Sequence, residues 1–207
     1  MKSLSILIPI YNEEESLQAL FDELKFSFEN NQSIEIIFIN DGSSDMSQKV
    51  IENEIANHST WKLINLYRNY GKSVALQSGI DIASNELIAT LDGDLQDDPK
   101  ELINLVCELN EDDVIVGWKK DRLDPLEKKI ASKIFNFFIK LFSGLKIKDS
   151  NSGIKVLKKE VAKSLNLYGG RHRYIPLLAH QKGFNVKEIP VNHRERKFGK
   201  SKYGAER

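Results

Sequence analysis

The chain has 207 residues, 41% of them hydrophobic, enough to bury a core of its own, and its 30 basic and 30 acidic side chains cancel. A single cysteine excludes an internal disulfide or a thiolate metal cluster, and no run of 18 apolar residues marks a membrane-spanning helix. The neutral balance conceals a division: residues 1–118 carry 7 Lys and Arg against 22 Asp and Glu, a net of −15, and residues 119–207 carry 23 against 8, a net of +15. The first part is suited to cations and the second to anions. With no recognisable nucleic-acid module, the basic part fits phosphorylated small molecules or an anionic membrane surface better than nucleic acid.

Strands and helices are expected to alternate. Ser3 to Pro9 has the composition of a buried strand, too short and too interrupted for a secretion leader. Asn12 is placed to cap a helix whose first turn holds Glu13, Glu14 and Glu15 and whose apolar stripe is Leu17, Leu20, Phe21, Leu24 and Phe28. Ile34 to Ile39 is a second strand, ending at Asn40-Asp41-Gly42, and Asp45 with Gln48 forms a capping-box start for a helix to about Ala56. Trp61–Leu66, Leu87–Leu91 and Val114–Gly117 follow as strands, with helices at Lys72–Ala83 and Pro99–Leu109. Cys107, beside Leu105, Val106 and Leu109, is expected as a small core residue.

Continuous apolar strands separated by helices predict an α/β fold, a mainly parallel sheet covered on both faces, with ligands at the carboxyl ends of the strands. Neither G-x-G-x-x-G nor G-x-x-x-x-G-K-[ST] occurs, so the first turn belongs neither to a dinucleotide-binding domain nor to a P-loop enzyme. A receiver-like domain would gather acids around Mg²⁺ but would leave the basic part unexplained.

The strongest signal is Glu86 to Pro99, E-L-I-A-T-L-D-G-D-L-Q-D-D-P, in which a buried strand runs into four carboxylates. Like charges at a strand end repel, and a hard divalent cation with oxygen ligands is their natural partner. Asp92 and Asp94 are read as the metal pair. Asp97 and Asp98 are read as a solvated turn, with Asp98 capping a helix that has Pro99 first and Glu101 third.

Five motifs in order then carry a resemblance: P-I-Y-N-E at Pro9–Glu13, D-G-S-S-D at Asp41–Asp45, R-N-Y-G-K at Arg68–Lys72, D-G-D-L-Q-D-D-P at Asp92–Pro99 and H-R-E-R-K-F-G-K-S-K-Y-G at His193–Gly204. Together they resemble the inverting family-2 glycosyltransferases of GT-A fold, and most nearly the polyprenyl-phosphate glycosyltransferases of the dolichol-phosphate mannose synthase and undecaprenyl-phosphate type. The resemblance covers the whole chain as one GT-A domain, residues 1–118 for nucleotide-sugar and metal and residues 119–207 for acceptor and membrane. It implies sugar transfer from GDP-mannose or a UDP-hexose to a polyprenyl phosphate at the cytoplasmic face of a membrane, with Mg²⁺ or Mn²⁺. The chain would be peripheral there or anchored by a further C-terminal segment, and a homo-oligomer stays open.

By the same resemblance, Pro9, Tyr11 and Glu13 wall the nucleoside, and Asp41 accepts hydrogen bonds from base or ribose. Lys72, opening a helix with Asn69 and Gly71, faces phosphate. Asp94 and Gln96 ligate the metal, with Asp92 supporting metal or nucleotide. In the basic part, Trp118-Lys119-Lys120-Asp121-Arg122 brings Arg122 towards phosphate, while Lys119 and Lys120 fit a solvated charge run. Leu126–Ser143 has a wide Phe-rich face margined by Lys129, Lys133 and Lys140, suited equally to a membrane interface or to core packing. Asp149 to Gly153, with Asp149 and Ser152, resembles the acceptor loop. Beyond the Gly169-Gly170 turn, His172 and Arg173 face donor sugar and acceptor phosphate. Arg194, Arg196, Lys200 and Lys202 belong to a terminal cationic loop that could close over diphosphate; Arg196 and Lys202 join Asp94, Arg122 and Arg173 as candidate catalytic groups.

A phosphate monoester, its second pKa near ~6, is mostly dianionic at neutral pH and needs no protein base. Its difficulty is repulsion from the donor diphosphate, which a metal and an arginine clamp relieve. Two alternatives remain: transfer to a saccharide or protein hydroxyl, with Asp149 as base, and a non-catalytic nucleotide-sugar-binding protein.

Overall fold

The structure, a computed structural model, describes residues 2–28, 31–120 and 143–195. Four strand–helix units and a fifth strand open the chain: β1 (Leu4–Ile10), α1 (Glu14–Phe28), β2 (Ile34–Asn40), α2 (Ser47–Ile55), β3 (Trp61–Asn65), α3 (Lys72–Ile82), β4 (Leu87–Thr90), α4 (Glu101–Glu108) and β5 (Val114–Lys119). Then come β6 (Lys155–Lys158), α5 (Lys159–Ser164), a 3₁₀ turn at Arg171–Tyr174, α6 (Ile175–Gln181) and β7 (Val186–Val191). The seven strands lie in the order β3-β2-β1-β4-β6-β5-β7. All pairings are parallel except those of β6, which runs antiparallel to both β4 and β5.

The apolar runs make this sheet because both faces are covered. Successive side chains of a strand point to opposite faces. Ile6, Ile8, Ile36 and Phe38 therefore join one core beneath α1, α2 and α4, and Leu7, Ile37 and Ile39 join a second beneath α3, α5 and α6. Phe21 and Phe38 meet edge to face at 5.6 Å and anchor α1 on the first face.

Several expectations change. β6 and β7 were not expected as strands: β6 has four residues, two of them lysines, and β7 is an edge strand that carries Lys187, Glu188 and Pro190. They place part of the basic segment inside the sheet, with β6 seated between β4 and β5. Cys107 is exposed, because it falls on the outer face of α4. Asn12 does not cap α1; its backbone is left-handed (φ 53°) and its side chain accepts the Ser44 N–H at 2.7 Å. Asp45 and Gln48 form no capping box: Asp45 accepts the Ser47 N–H at 3.0 Å, while Gln48 turns to Glu52. Most of the amphipathic stretch, residues 126–142, lies outside the described residues, as do Arg122, Arg196 and Lys202.

Candidate active site

Four strand ends meet along the carboxyl edge of the sheet. After β1 and β2 the turns are laced together, Asn12 N–H to Ser43 Oγ at 2.9 Å and Glu13 N–H to Ser47 Oγ at 2.9 Å, so Tyr11 and Glu13 are held against the sheet. Asp41 is fully buried, and its two oxygens accept the N–H groups of Tyr70 at 2.8 Å and Gly71 at 2.9 Å. This carboxylate ties down the turn that starts α3 and so places Lys72. Gly42 beside it is required: its φ is +68°, and a Cβ would stand 2.3 Å from the Arg68 backbone.

Beyond β4, Asp92-Gly93-Asp94 makes the turn foreseen. Leu95 takes a left-handed conformation (φ 63°) while its side chain is buried in the core. That costs about 1–2 kcal/mol for a residue with a Cβ. In return Asp94 Oδ1 accepts the backbone N–H of Gln96 at 3.1 Å, which closes the turn. Pro9, Tyr11, Glu13, Lys72, Asp92, Gly93 and Asp94 line one pocket.

The ammonium of Lys72 pairs directly with Asp92. Burial alone would raise the Asp92 pKa, but the charges of Lys72, Lys119 and Lys155 outweigh it and hold the carboxyl well below its usual range. A second cavity shares Lys72 and is lined further by Ser73, Gly169, Gly170, His172, Arg173 and Tyr174. His172 receives the Ser73 hydroxyl's partnership twice, through its N–H at 3.0 Å and Nδ1 at 2.9 Å. Burial, then Lys72, Lys155 and Arg173, push its pKa down to about 3, so it is a neutral hydrogen-bonding group.

The loop before β6 closes the site from below. Thr90 Oγ1 donates to the Gly153 carbonyl at 2.6 Å, and Ser150 Oγ donates to the Arg173 carbonyl at 3.1 Å. The Glu188 carboxylate accepts the N–H groups of Lys148 and Asp149, the latter at 2.7 Å. Asp149 and Ser152, within this loop, are 2% and 1% exposed, so both are buried.

Residues 5–165 match the family model for glycosyl transferase family 2. The chain belongs to this glycosyltransferase family. It is 36% identical over 211 residues to dodecaprenyl-phosphate galacturonate synthase of Rhizobium johnstonii, covering 99% of this chain and 62% of that protein. It is also 36% identical over 208 residues to undecaprenyl-phosphate 4-deoxy-4-formamido-L-arabinose transferase of Salmonella choleraesuis, covering 98% and 63%. The chain thus spans a little under two thirds of the length of these relatives. In fold it is similar to the Pyrobaculum calidifontis mannosyltransferase PcManGT, solved with GDP-Man and Mn²⁺, at TM-score 0.73, 15% identity, and 97% and 58% coverage. Glucosyl-3-phosphoglycerate synthase of Mycobacterium tuberculosis, solved with Mn²⁺, UDP-glucose and phosphoglyceric acid, gives TM-score 0.72 at 13% identity, with 96% and 73% coverage. The α/β sheet of this chain is therefore of GT-A type.

Set against the sequence expectations, this family 2 domain brings Pro9, Tyr11, Glu13, Lys72, Asp92 and Asp94 to one pocket, and His172 and Arg173 to the adjoining one. Arg194 is directed elsewhere: its guanidinium holds Glu23 at 2.8 Å and also Asp98, and its N–H meets the Gln96 carbonyl at 2.9 Å. Two expectations of solvation fail. Asp97 is 2% exposed and Lys119 8%, because they pair with each other at 2.7 Å. Lys155, missed altogether, is 3% exposed and points to the Ser152 carbonyl. Burial and the nearness of Lys72 lower its pKa to about 8 against the pull of Asp92 and Asp149. A lysine inside the apolar run Ile154–Leu157 was the available sign. No helix among the described residues is long and apolar enough to cross a membrane.

Proposed function

We propose that the chain transfers a sugar, with inversion, from a nucleotide-sugar bound with a divalent cation to the phosphate of a polyprenol at a membrane surface. The observation that carries this reading is the sharing of Lys72 between two adjoining spaces, one bearing Asp92 and Asp94, the other His172 and Arg173. A carboxylate-lined pocket beside a cation-lined cavity suits two phosphorylated substrates brought together. The activities of the two relatives, both on polyprenyl phosphates, support the choice of acceptor.

The donor set fits a hard cation: Asp92 and Asp94 line one pocket, Gln96 follows in the same turn, and all three side chains offer oxygens. Two carboxylates are what Mg²⁺ or Mn²⁺ needs when substrate phosphates complete its shell. Asp94 and Gln96 would hold the ion, which when bound supplies charge neutralisation to the departing nucleoside diphosphate. Tyr11, Pro9 and Glu13 wall the nucleoside side, and Lys72, at the start of α3, meets phosphate. Arg173 orients the acceptor phosphate, and neutral His172 offers a hydrogen bond without adding charge. The acceptor dianion provides its own nucleophilic oxygen, so no side chain has to remove a proton. Asp149 at 2% exposure suits a base for a hydroxyl acceptor poorly, which favours the phosphate acceptor over a saccharide or protein hydroxyl.

The test offers a panel of GDP- and UDP-sugars with a short polyprenyl phosphate, with and without chelator, to the protein and to Asp94→Ala. Turnover with at least one donor is expected, lost in chelator and lost in the variant. Full activity of Asp94→Ala in chelator would refute the metal role, and transfer only to hydroxyl acceptors would refute the acceptor.

A further inference from the structure

Asp97 and Lys119 take no part in the chemistry above, yet they are an ion pair buried directly beneath it. They sit at the ends of strands that are not neighbours: β6 lies between β4 and β5. Contact across that gap is possible because Gly153, just ahead of β6, has no side chain. A Cβ there would stand 2.5 Å from Asp92 Oδ2 and 2.8 Å from Asp97 Oδ2, so two carboxylates converge on one backbone position. Carboxylates this close in a buried setting repel strongly unless cations lie among them. Lys72 contacts Asp92, Lys119 contacts Asp97 at 2.7 Å, and Lys155 lies behind both on β6.

Lys119 meets Asp97 Oδ1 in a charge-assisted contact at 2.7 Å, and among the described residues Asp97 Oδ2 makes no hydrogen bond. The turn it supports is strained at Leu95, and a strained conformation persists only where its surroundings over-determine it. On the other side, the Asp97 backbone bridges to His193 and the Gln96 carbonyl takes the Arg194 N–H at 2.9 Å. Side chain and backbone together leave the turn little freedom.

From this geometry we infer that Lys119 is a positioning residue: acting through Asp97, it fixes the turn 92–97 so that Asp94 and Gln96 are presented for the cation. The inference rests on the metal reading of the site. It assigns Lys119 no contact with substrate. Its task is to neutralise Asp97, and that makes a specific demand on double substitution. Removing one member of a buried pair leaves a bare charge, whereas removing both does not.

The experiment measures Mn²⁺ binding by electron paramagnetic resonance, alone and with UDP or GDP, on the whole chain, with thermal melting of each protein. Lys119→Met is expected to weaken nucleotide-dependent Mn²⁺ binding by at least about tenfold, the usual scale for losing a support behind a metal ligand. Asp97→Asn combined with Lys119→Met should return it to within about threefold of the wild type, because the uncompensated charge is gone. A double variant as weak as Lys119→Met would overturn the inference, since the lysine would then act directly. So would a Lys119→Met protein that melts lower but binds Mn²⁺ as the wild type does, since the pair would then serve stability alone. Should Lys119→Met not fold, the double variant decides alone: folded and binding supports the inference, folded and weak overturns it. Absence of Mn²⁺ binding by the wild type with either nucleotide would overturn the metal reading and this inference together; wild-type binding with the failures above overturns the inference only.

Discussion

Asp41→Asn is the most exacting test of how the donor side is held. Both Asp41 oxygens accept backbone N–H groups, at 2.8 and 2.9 Å, in a fully buried position. Each hydrogen bond to a charged acceptor contributes about 1.5–3 kcal/mol. Tyr70 is exposed and Gly71 half-buried, so their freed N–H groups can regain water, and the expected net loss is about 2–4 kcal/mol rather than the full sum. Asparagine is no conservative change here: it keeps one acceptor and turns an NH₂ donor against the second N–H. At roughly 2–4 °C per kcal/mol for a chain of this size, Tm should fall by about 4–16 °C. Because the freed turn carries Lys72, UDP or GDP affinity should fall as well. Thermal melting and nucleotide titration check this. A Tm within about 1 °C of the wild type, with unaltered nucleotide affinity, would refute the claim that a carboxylate clamps the turn.

Two further outcomes are expected. His172, with a folded pKa of about 3 against an ordinary 6.5, binds its proton more readily in the unfolded chain. Stability linked to it is therefore intact above about pH 6.5 and falls as pH is lowered towards 3. His172→Asn should flatten that slope in urea unfolding between pH 7.5 and pH 5, and an unchanged slope would contradict the assignment. Asp149→Asn should leave a substantial single-turnover rate with polyprenyl phosphate, whereas Arg173→Ala should lower it by about 100-fold or more, the scale of losing a preorganised charge contact. The reverse order would transfer the acceptor from phosphate to hydroxyl.

The sequence made β1 to β5 legible to within a residue or two because β1, β2, β4 and most of β5 are buried on both faces, while half-buried β3 still carries Trp61, Leu63 and Ile64. The gathering of Pro9, Tyr11, Lys72, Asp92 and Asp94 at one pocket was legible too, since Pro9 lies near the end of β1 and the others follow strands at the carboxyl edge, where an α/β sheet binds ligands. Three things were hidden for physical reasons. β6 and β7 carry lysines and a proline, and only their place in an existing sheet makes strands of them. Asp97 looked like any turn acid, because burial of an ion depends on a partner 22 positions away at Lys119. The left-handed Leu95 runs against the preference of its residue type, and it is tolerated because the core takes its side chain.

The +15 of the second part is read from sequence as a search for external anions, but part of it meets acids of the first part within the fold. Lys119 pairs with Asp97, Lys158 with Asp113 at 2.7 Å, Lys187 with Glu108 at 3.2 Å, and Arg194 with Glu23 and Asp98. Each of these joins a late cation to an early acid, so the charge division partly records how the last strands dock on the first. Their worth differs with setting. Lys187 and Glu108, with side chains 39% and 54% exposed, contribute little, as screened surface pairs do. Lys119 and Asp97, at 9% and 1%, are the buried case, in which removal of either partner leaves the other uncompensated. Net charge is thus weak support for a membrane-facing surface. The case for an external anion rests on position instead: on Arg173 and Lys72, which line a cavity beside the carboxylate pocket rather than the seam between the two parts of the chain.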